Sequence, residues 1–190
     1  NVERAVTREA RGLMGGDIEI RLSRPMSEKG EAVLRSLADR SIAVLHISEL
    51  VGMAAVTTGK PTLQTQIVEL KAVEPGYPFY GNLQLEPARP LMELLSSSAC
   101  PTLHASRTTH HETCYGAIVQ QSLLIRLGLS VGDQFKVGEA TFIITGVLRK
   151  EPDRVAGPFN LGPRVMISRE GLAAAELIKP GSRVRERYLL

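Results

Sequence analysis

Apolar and polar positions recur along this chain with enough regularity to predict most of its elements. Residues 1–14 (NVERAVTREARGLM) place Val2, Val6, Ala10 and Leu13 at helical spacing, and Gly15-Gly16 ends that helix. Residues 17–24 (DIEIRLSR) set Ile18, Ile20 and Leu22 against charged or polar neighbours, the period of a half-buried strand. Pro25 and Ser27 then open a helix with Ala32, Val33, Leu34 and Leu37 as its core face. Residues 41–56 (SIAVLHISELVGMAAV) read as a long strand broken near Gly52, with His46 a structural, pleat-facing histidine. Residues 60–73 are its antiparallel partner, after a turn at Lys60-Pro61. Leu63 and Ile67 share one face there while Val68, Leu70 and Ala72 take the other, which predicts a bulge near Val68.

The segment 74–90 (EPGYPFYGNLQLEPARP) changes character: four prolines and two glycines predict an ordered loop or a crossing between lobes. Tyr77, Phe79 and Tyr80 cluster in it, either facing a partner or, the more common use of such rings, pinning the loop to the core. Ile118, Val119, Leu123, Leu124 and Leu127 predict a helix over 116–127, closed by Gly128. Two strands follow, 134–137 and 140–148, turning at Gly138-Glu139. After a Pro-rich loop at 150–163 come a strand at 164–168, a helix at 169–177 capped by Ser168, and a last strand at 183–190. Helix, strand, helix, strand, strand at the start gives a split βα plan, so the fold class is α+β.

Composition narrows the function. A chain of 190 residues is long enough for one domain or two small lobes and buries roughly 70% of its unfolded surface. Apolar content of 43% with 23% charged residues belongs to an ordered globular protein. A net charge of +3 without a basic block, and four Phe, four Tyr and no Trp, argue against nucleic acid as a partner. No run of about 20 apolar residues spans a bilayer, and no signal-peptide pattern opens the chain. The start at Asn1, inside a helical pattern, reads as a segment excised from a longer polypeptide.

Reactive groups gather in one place. Cys100, His104, His110, His111, Glu112 and Cys114 fall within fifteen residues, next to a Ser- and Thr-rich run. His104, His110, His111 and Cys114 are candidate zinc ligands, but their spacing matches no closed zinc motif, and adjacent histidines diverge in extended chain. Cys100 and Cys114 are either unpaired or joined in a disulfide, which fits an oxidising compartment and closes a loop of about 15 residues. No nucleophile elbow, P-loop or H-E-x-x-H is present, and no Ser, His and acid stand at a spacing that argues for a triad, so no catalytic residue and no cofactor is expected.

Five motifs in order resemble the extracytoplasmic domain of an ABC-transporter permease of the FtsX/MacB class, the YbbP-like subgroup in particular. They are GGDIEIRLSRPMS (15–27), VELKAVEPGYPFYG (68–81), YGAIVQQSLLIRLGLSVGDQFKVGEATFIITGV (115–147), KEPDR (150–154), and GPRVMIS with PGSRVRERYLL (162–190). The resemblance implies a MacB-like periplasmic core of two lobes. Residues 1–85 and 161–190 would form a porter-like lobe, and 86–160 a smaller inserted lobe carrying loop 96–114. It implies a periplasmic domain of a bacterial inner-membrane protein, held by flanking membrane helices. A separate cytoplasmic ATPase subunit would hydrolyse ATP, the full permease would be dimeric, and a periplasmic partner protein could engage the domain. The domain would relay ATP-driven motion to substrates or partner proteins outside the membrane, in export or extraction of lipophilic substrates or lipoproteins. Two other readings compete: a metal-dependent hydrolase using His104, His110, His111 and Glu112, and a freestanding lipid- or ligand-binding protein.

Overall fold

The computed structural model describes residues 15–56, 63–100, 113–153 and 161–190. The expected helix over 1–14, the Lys60-Pro61 turn, and His104, His110, His111 and Glu112 lie outside the described residues. In chain order the elements are β1 (Glu19–Leu22), α1 (Glu28–Asp39), β2 (Leu45–Val56), β3 (Gln64–Val73), β4 (Gln84–Glu86), α2 (Leu91–Leu94) and β5 (Ser97–Ala99). There follow β6 (Thr113–Gln120), α3 (Gln121–Leu127), β7 (Gln134–Val137), β8 (Ala140–Lys150), β9 (Arg164–Ser168), α4 (Arg169–Ala174) and β10 (Val184–Leu189). A mixed ten-stranded sheet with four short helices among the described residues makes the fold α+β.

Six strands close a ring. β2 pairs with β3, β3 with β9, β9 with β6, β6 with β8, β8 with β7, and β7 returns to β2 through Ala54 and Ala55. The ring's interior is the main core: Leu50, Val68, Leu70, Val119, Phe142, Ile144 and Ile167 are all buried there, with Leu123 and Leu172 from α3 and α4 packed against them. Burial of this many apolar side chains is the main favourable term in the fold. The ring draws β2, β3 and β9 from residues 1–85 and 161–190, and β6, β7 and β8 from 86–160. Outside it, β10 pairs with β2 and β1 pairs with β10, both antiparallel. A second apolar cluster (Leu45, Ile47, Val73, Leu94, Ile118, Met166, Leu189) covers the outer wall under the 74–83 loop.

Local chemistry explains the turns. Gly128 ends α3 in the left-handed conformation (φ 59), and Gly138 takes the same region at the β7–β8 turn. Ser27 and Ser168 cap α1 and α4, their hydroxyls accepting from the amides of Gly30 and Gly171.

Several expectations are corrected. β2 runs unbroken through Gly52, because that position points into the ring, where a Cβ would stand 2.7 Å from Leu70 Cδ1. β2 and β3 pair in continuous register from Ser48↔Ala72 to Val56↔Gln64, so no bulge lies at Val68; Leu63 and Ile67 simply point outward and stay exposed. Residues 116–120 are strand, not helix: Ala117 and Val119 face the ring interior and Ile118 the outer wall. The helix expected over 169–177 ends at Ala174, and the next turn puts Glu176 at positive φ. In α1 only Leu34 is buried and Leu37 is half-buried; Ala32 is exposed and Val33 is 58% exposed, so the covered face of the helix is narrower than its apolar positions predict.

Candidate functional site: a buried charge network on the outer wall

Strand alternation sends the even-numbered residues of β3 into the ring and turns Glu69, Lys71 and Val73 outward. Register then gathers charge on one stretch of wall. Glu49 of β2 lies opposite Lys71, Arg164 of β9 opposite Glu69, and Arg187 of β10 opposite Ile47. β1 adds Glu19 and Arg21 on the same face, with Arg21 opposite Arg187. The segment after β8 folds Glu151 and Asp153 over this wall, and Tyr77 arrives from the loop after β3.

Lys71 is the centre, with 0% of its side chain exposed. Its Nζ donates to Glu151 Oε1 at 2.7 Å, to Asp153 Oδ1 at 2.8 Å and to Tyr77 Oη at 2.8 Å, so its three N–H bonds are all used. Tyr77 Oη in turn donates to Asp153 Oδ1 at 2.5 Å, and the ammonium also lies 4.4 Å from the Tyr77 ring centroid. Arg187 continues the chain: Nη1 donates to Asp153 Oδ2 at 2.8 Å and Nε to Glu19 Oε1 at 2.5 Å. Arg21 Nη2 closes on the other Glu19 oxygen at 2.7 Å. Arg164 is held more loosely, 3.3 Å from Glu151, 3.6 Å from Glu49 and 3.9 Å from Glu69, and its buried Nε makes no hydrogen bond.

Burial alone would raise the Asp153 carboxyl, but the Lys71 ammonium, the Tyr77 hydroxyl and Arg187 together pull it down to about 2. Burial and the two carboxylates push the Tyr77 phenol far above its ordinary range, so it stays a donor. Burial works against the Arg187 charge, yet Asp153 and Glu19 hold its pKa above the usual value. The Asp153 carboxyl therefore stays ionised and the Tyr77 hydroxyl stays protonated. Such a cluster anchors five strands and two loops to one another.

A second polar group lies nearby. His46 Nε2 and Ser48 Oγ both meet Glu186 Oε2, at 2.7 and 2.6 Å, and His46 stacks on Tyr188 at 4.2 Å. Burial would raise Glu186, but His46 and Ser48 hold it below its ordinary value. Serine and histidine share one carboxylate oxygen here and do not meet each other, so this is no nucleophile–base pair.

Of the residues singled out by sequence, Cys100 and Cys114 are joined in a disulfide, with Cα atoms 4.9 Å apart. Cys114 therefore has no thiolate to give a metal. Among the described residues no group of three or more His, Cys, Asp or Glu side chains is arranged to hold a metal ion. Tyr77 is buried in the network, Phe79 packs on the outer-wall apolar cluster, and Tyr80 donates to Asp17 at 2.9 Å. The network itself was missed. Its signal was the charged residue at alternate positions of several strands, IEIR, VELK and RVRER, with opposite signs meeting across them.

No protein-family model matches the chain. By sequence nearly the whole chain is similar to part of an ABC transporter permease. The relative is the uncharacterized ABC transporter permease YbbP of Escherichia coli (strain K12), 31% identical over 187 residues, which are 98% of this chain. The chain spans 20% of that relative's length. Among solved structures, the extracellular domain of the noncanonic ABC-type transporter YknZ from Gram-positive bacteria aligns with a TM-score of 0.45 at 11% identity, over 91% of this chain and 83% of that one. No helix among the described residues is long and apolar enough to cross a membrane.

Proposed function

We propose that this chain is the extracytoplasmic domain of a bacterial inner-membrane ABC permease, and that it relays ATP-driven motion to substrates or partner proteins outside the membrane. The observation that carries the reading is the coupling of β1 and β10 to the ring. These strands pair with each other, and the buried chain Glu19–Arg187–Asp153–Lys71 ties both to β3. A displacement entering through β1 and β10 then moves the whole barrel, because stretching any link exposes a buried charge. In this reading the porter-like part (1–85 with 161–190) and the inserted part (86–160) share the closed ring and move as one body. A cytoplasmic ATPase subunit supplies the energy, and the full permease works as a dimer on lipophilic or lipoprotein cargo.

The test uses the complete permease with its ATPase subunit in a bilayer. A donor dye on Ile125→Cys, an exposed position on α3, and an acceptor dissolved in the membrane report the height of the barrel. Energy transfer changes with ATP in the parent protein and loses that change in Arg187→Met, while ATP hydrolysis continues. Transfer that is the same in every nucleotide state sinks the relay reading. Failure of a membrane-impermeant maleimide to reach Ile125→Cys in intact cells sinks the extracytoplasmic one.

A further inference from the structure

Beside the network the wall opens into a groove of about 1500 Å³. Six basic side chains line it: Arg21 and Arg24 from β1 and its exit, Arg164 from β9, Lys179 and Arg183 from the entry to β10, and Arg185 from β10 itself. Among the described residues the carboxylates lining it are Glu49 and Glu69. Both are already engaged, Glu49 by Arg164, Arg185 and Arg187, and Glu69 by Arg164. Arg24, Lys179 and Arg183 have no ion pair among the described residues, so the surplus positive charge sits on the rim. Three apolar side chains stand exposed in the same groove, Val51 by 49%, Leu161 by 61% and Ile178 by 40%.

Charge placement selects the occupant. The deep Arg164 is ringed by Glu49, Glu69 and Glu151, so a single compact anion gains nothing there. The uncompensated cations lie on two separate segments, Arg24 after β1 and Lys179 with Arg183 before β10, which suits a ligand with several negative charges along its length. Exposed apolar side chains between them suit apolar groups interleaved with those charges. A concave trough of this size receives a chain segment, whereas a flat anionic bilayer meets only its rim. We propose that the groove docks an acidic, amphipathic segment of another polypeptide. The relay reading enters only in placing that partner outside the membrane; binding itself is measured on the isolated chain and stands or falls separately.

The probe is a fluorescein-labelled peptide of repeating Glu-Leu-Glu-Gly, followed by anisotropy, with a Lys-for-Glu counterpart as control. The acidic probe binds, weakens as salt is raised, and loses at least about tenfold in affinity to Arg24→Glu/Arg183→Glu. Both side chains are exposed and outside the network, so the double variant keeps the parent's circular dichroism and thermal midpoint. Val51→Asn weakens the probe without altering the salt dependence. No binding of the acidic probe, equal binding of the Lys counterpart, or indifference to the charge reversal each overturns the proposal. So does binding of phosphatidylglycerol vesicles in place of the peptide, which would make the groove a membrane contact.

Discussion

Replacing Lys71 by Met tests whether the network holds the wall together. Met keeps an unbranched stem but removes three donors from a position with no exposure. Asp153 retains Arg187 Nη1 at 2.8 Å and the Tyr77 hydroxyl at 2.5 Å, whereas Glu151 retains the Tyr77 hydroxyl at 3.5 Å and Arg164 Nε at 3.3 Å, the latter without a hydrogen bond. Removing one partner of a buried ionic cluster costs about 3–5 kcal/mol, and the surviving arginine contacts set the expectation near about 3 kcal/mol. In urea unfolding followed by circular dichroism the slope stays fixed and the midpoint falls by about 1.5 M, taking a slope of ~2 kcal/mol/M. Acid supplies a second readout. Asp153 is depressed from 3.8 to about 2 on folding, so its contribution is present above 3.8 and is lost as pH falls through about 2. That interval corresponds to roughly 2 kcal/mol. Without the ammonium the Asp153 pKa rises, the variant has less to lose on acidification, and the gap to the parent narrows as pH falls below 3.8. A loss under about 1 kcal/mol at neutral pH, or a gap that stays constant down to pH about 2, refutes the reasoning.

Three further outcomes follow from the same structure. Gly138→Ala places a Cβ 2.0 Å from the Ala175 carbonyl oxygen at a φ of 59, so thermal unfolding shows a loss of about 2–3 kcal/mol or more. The Cys100→Ala/Cys114→Ala variant reopens a loop with a sequence separation of 14 and loses about 3 kcal/mol in the same assay, while reduction of the parent gives an equal fall. Val33→Lys on the outer side of α1 changes the unfolding midpoint by less than about 0.5 kcal/mol equivalent; a larger loss means that α1 is covered in solution.

The β7–β8 hairpin was readable because its turn needs positive φ and the sequence supplies Gly138 there. The β2–β3 pair was readable from alternation alone. Ring closure was not, because β7 returns to β2 through two residues, Ala54 and Ala55, whose small side chains carry no signal beyond generic burial. The stretch 116–120 misled for a related reason: Ile118 and Val119 are buried on opposite sides of one strand, and an apolar run covered on both faces looks like part of a helix. The network escaped because Lys71 and Asp153 are 82 residues apart. A lysine in VELKAV reads by default as the solvated side of a strand, and only the fold of the segment 151–153 over the wall removes it from water.

Charge on this wall divides into two populations with different consequences. Lys71, Arg187 and Arg164 face Glu151, Asp153, Glu19 and Glu49 in a buried set in which each positive group meets at least one carboxylate within 3.9 Å. Opposite charges held this close offset much of one another's field outside the set, and the set resists opening because every link that breaks leaves a charge in a poorly solvated place. Arg24, Lys179 and Arg183 have no ion pair among the described residues, and their field extends into the groove. Stiffness is thus supplied by residues within β1, β3 and β10, and attraction by the segments that leave β1 and enter β10. Within β10, Arg187 is spent holding the wall while Arg185, two positions earlier on the same face, is 68% exposed toward the groove. A partner held by the rim would be held by the strands that the network ties to the ring, so motion of the barrel would reach it through two residues of spacing.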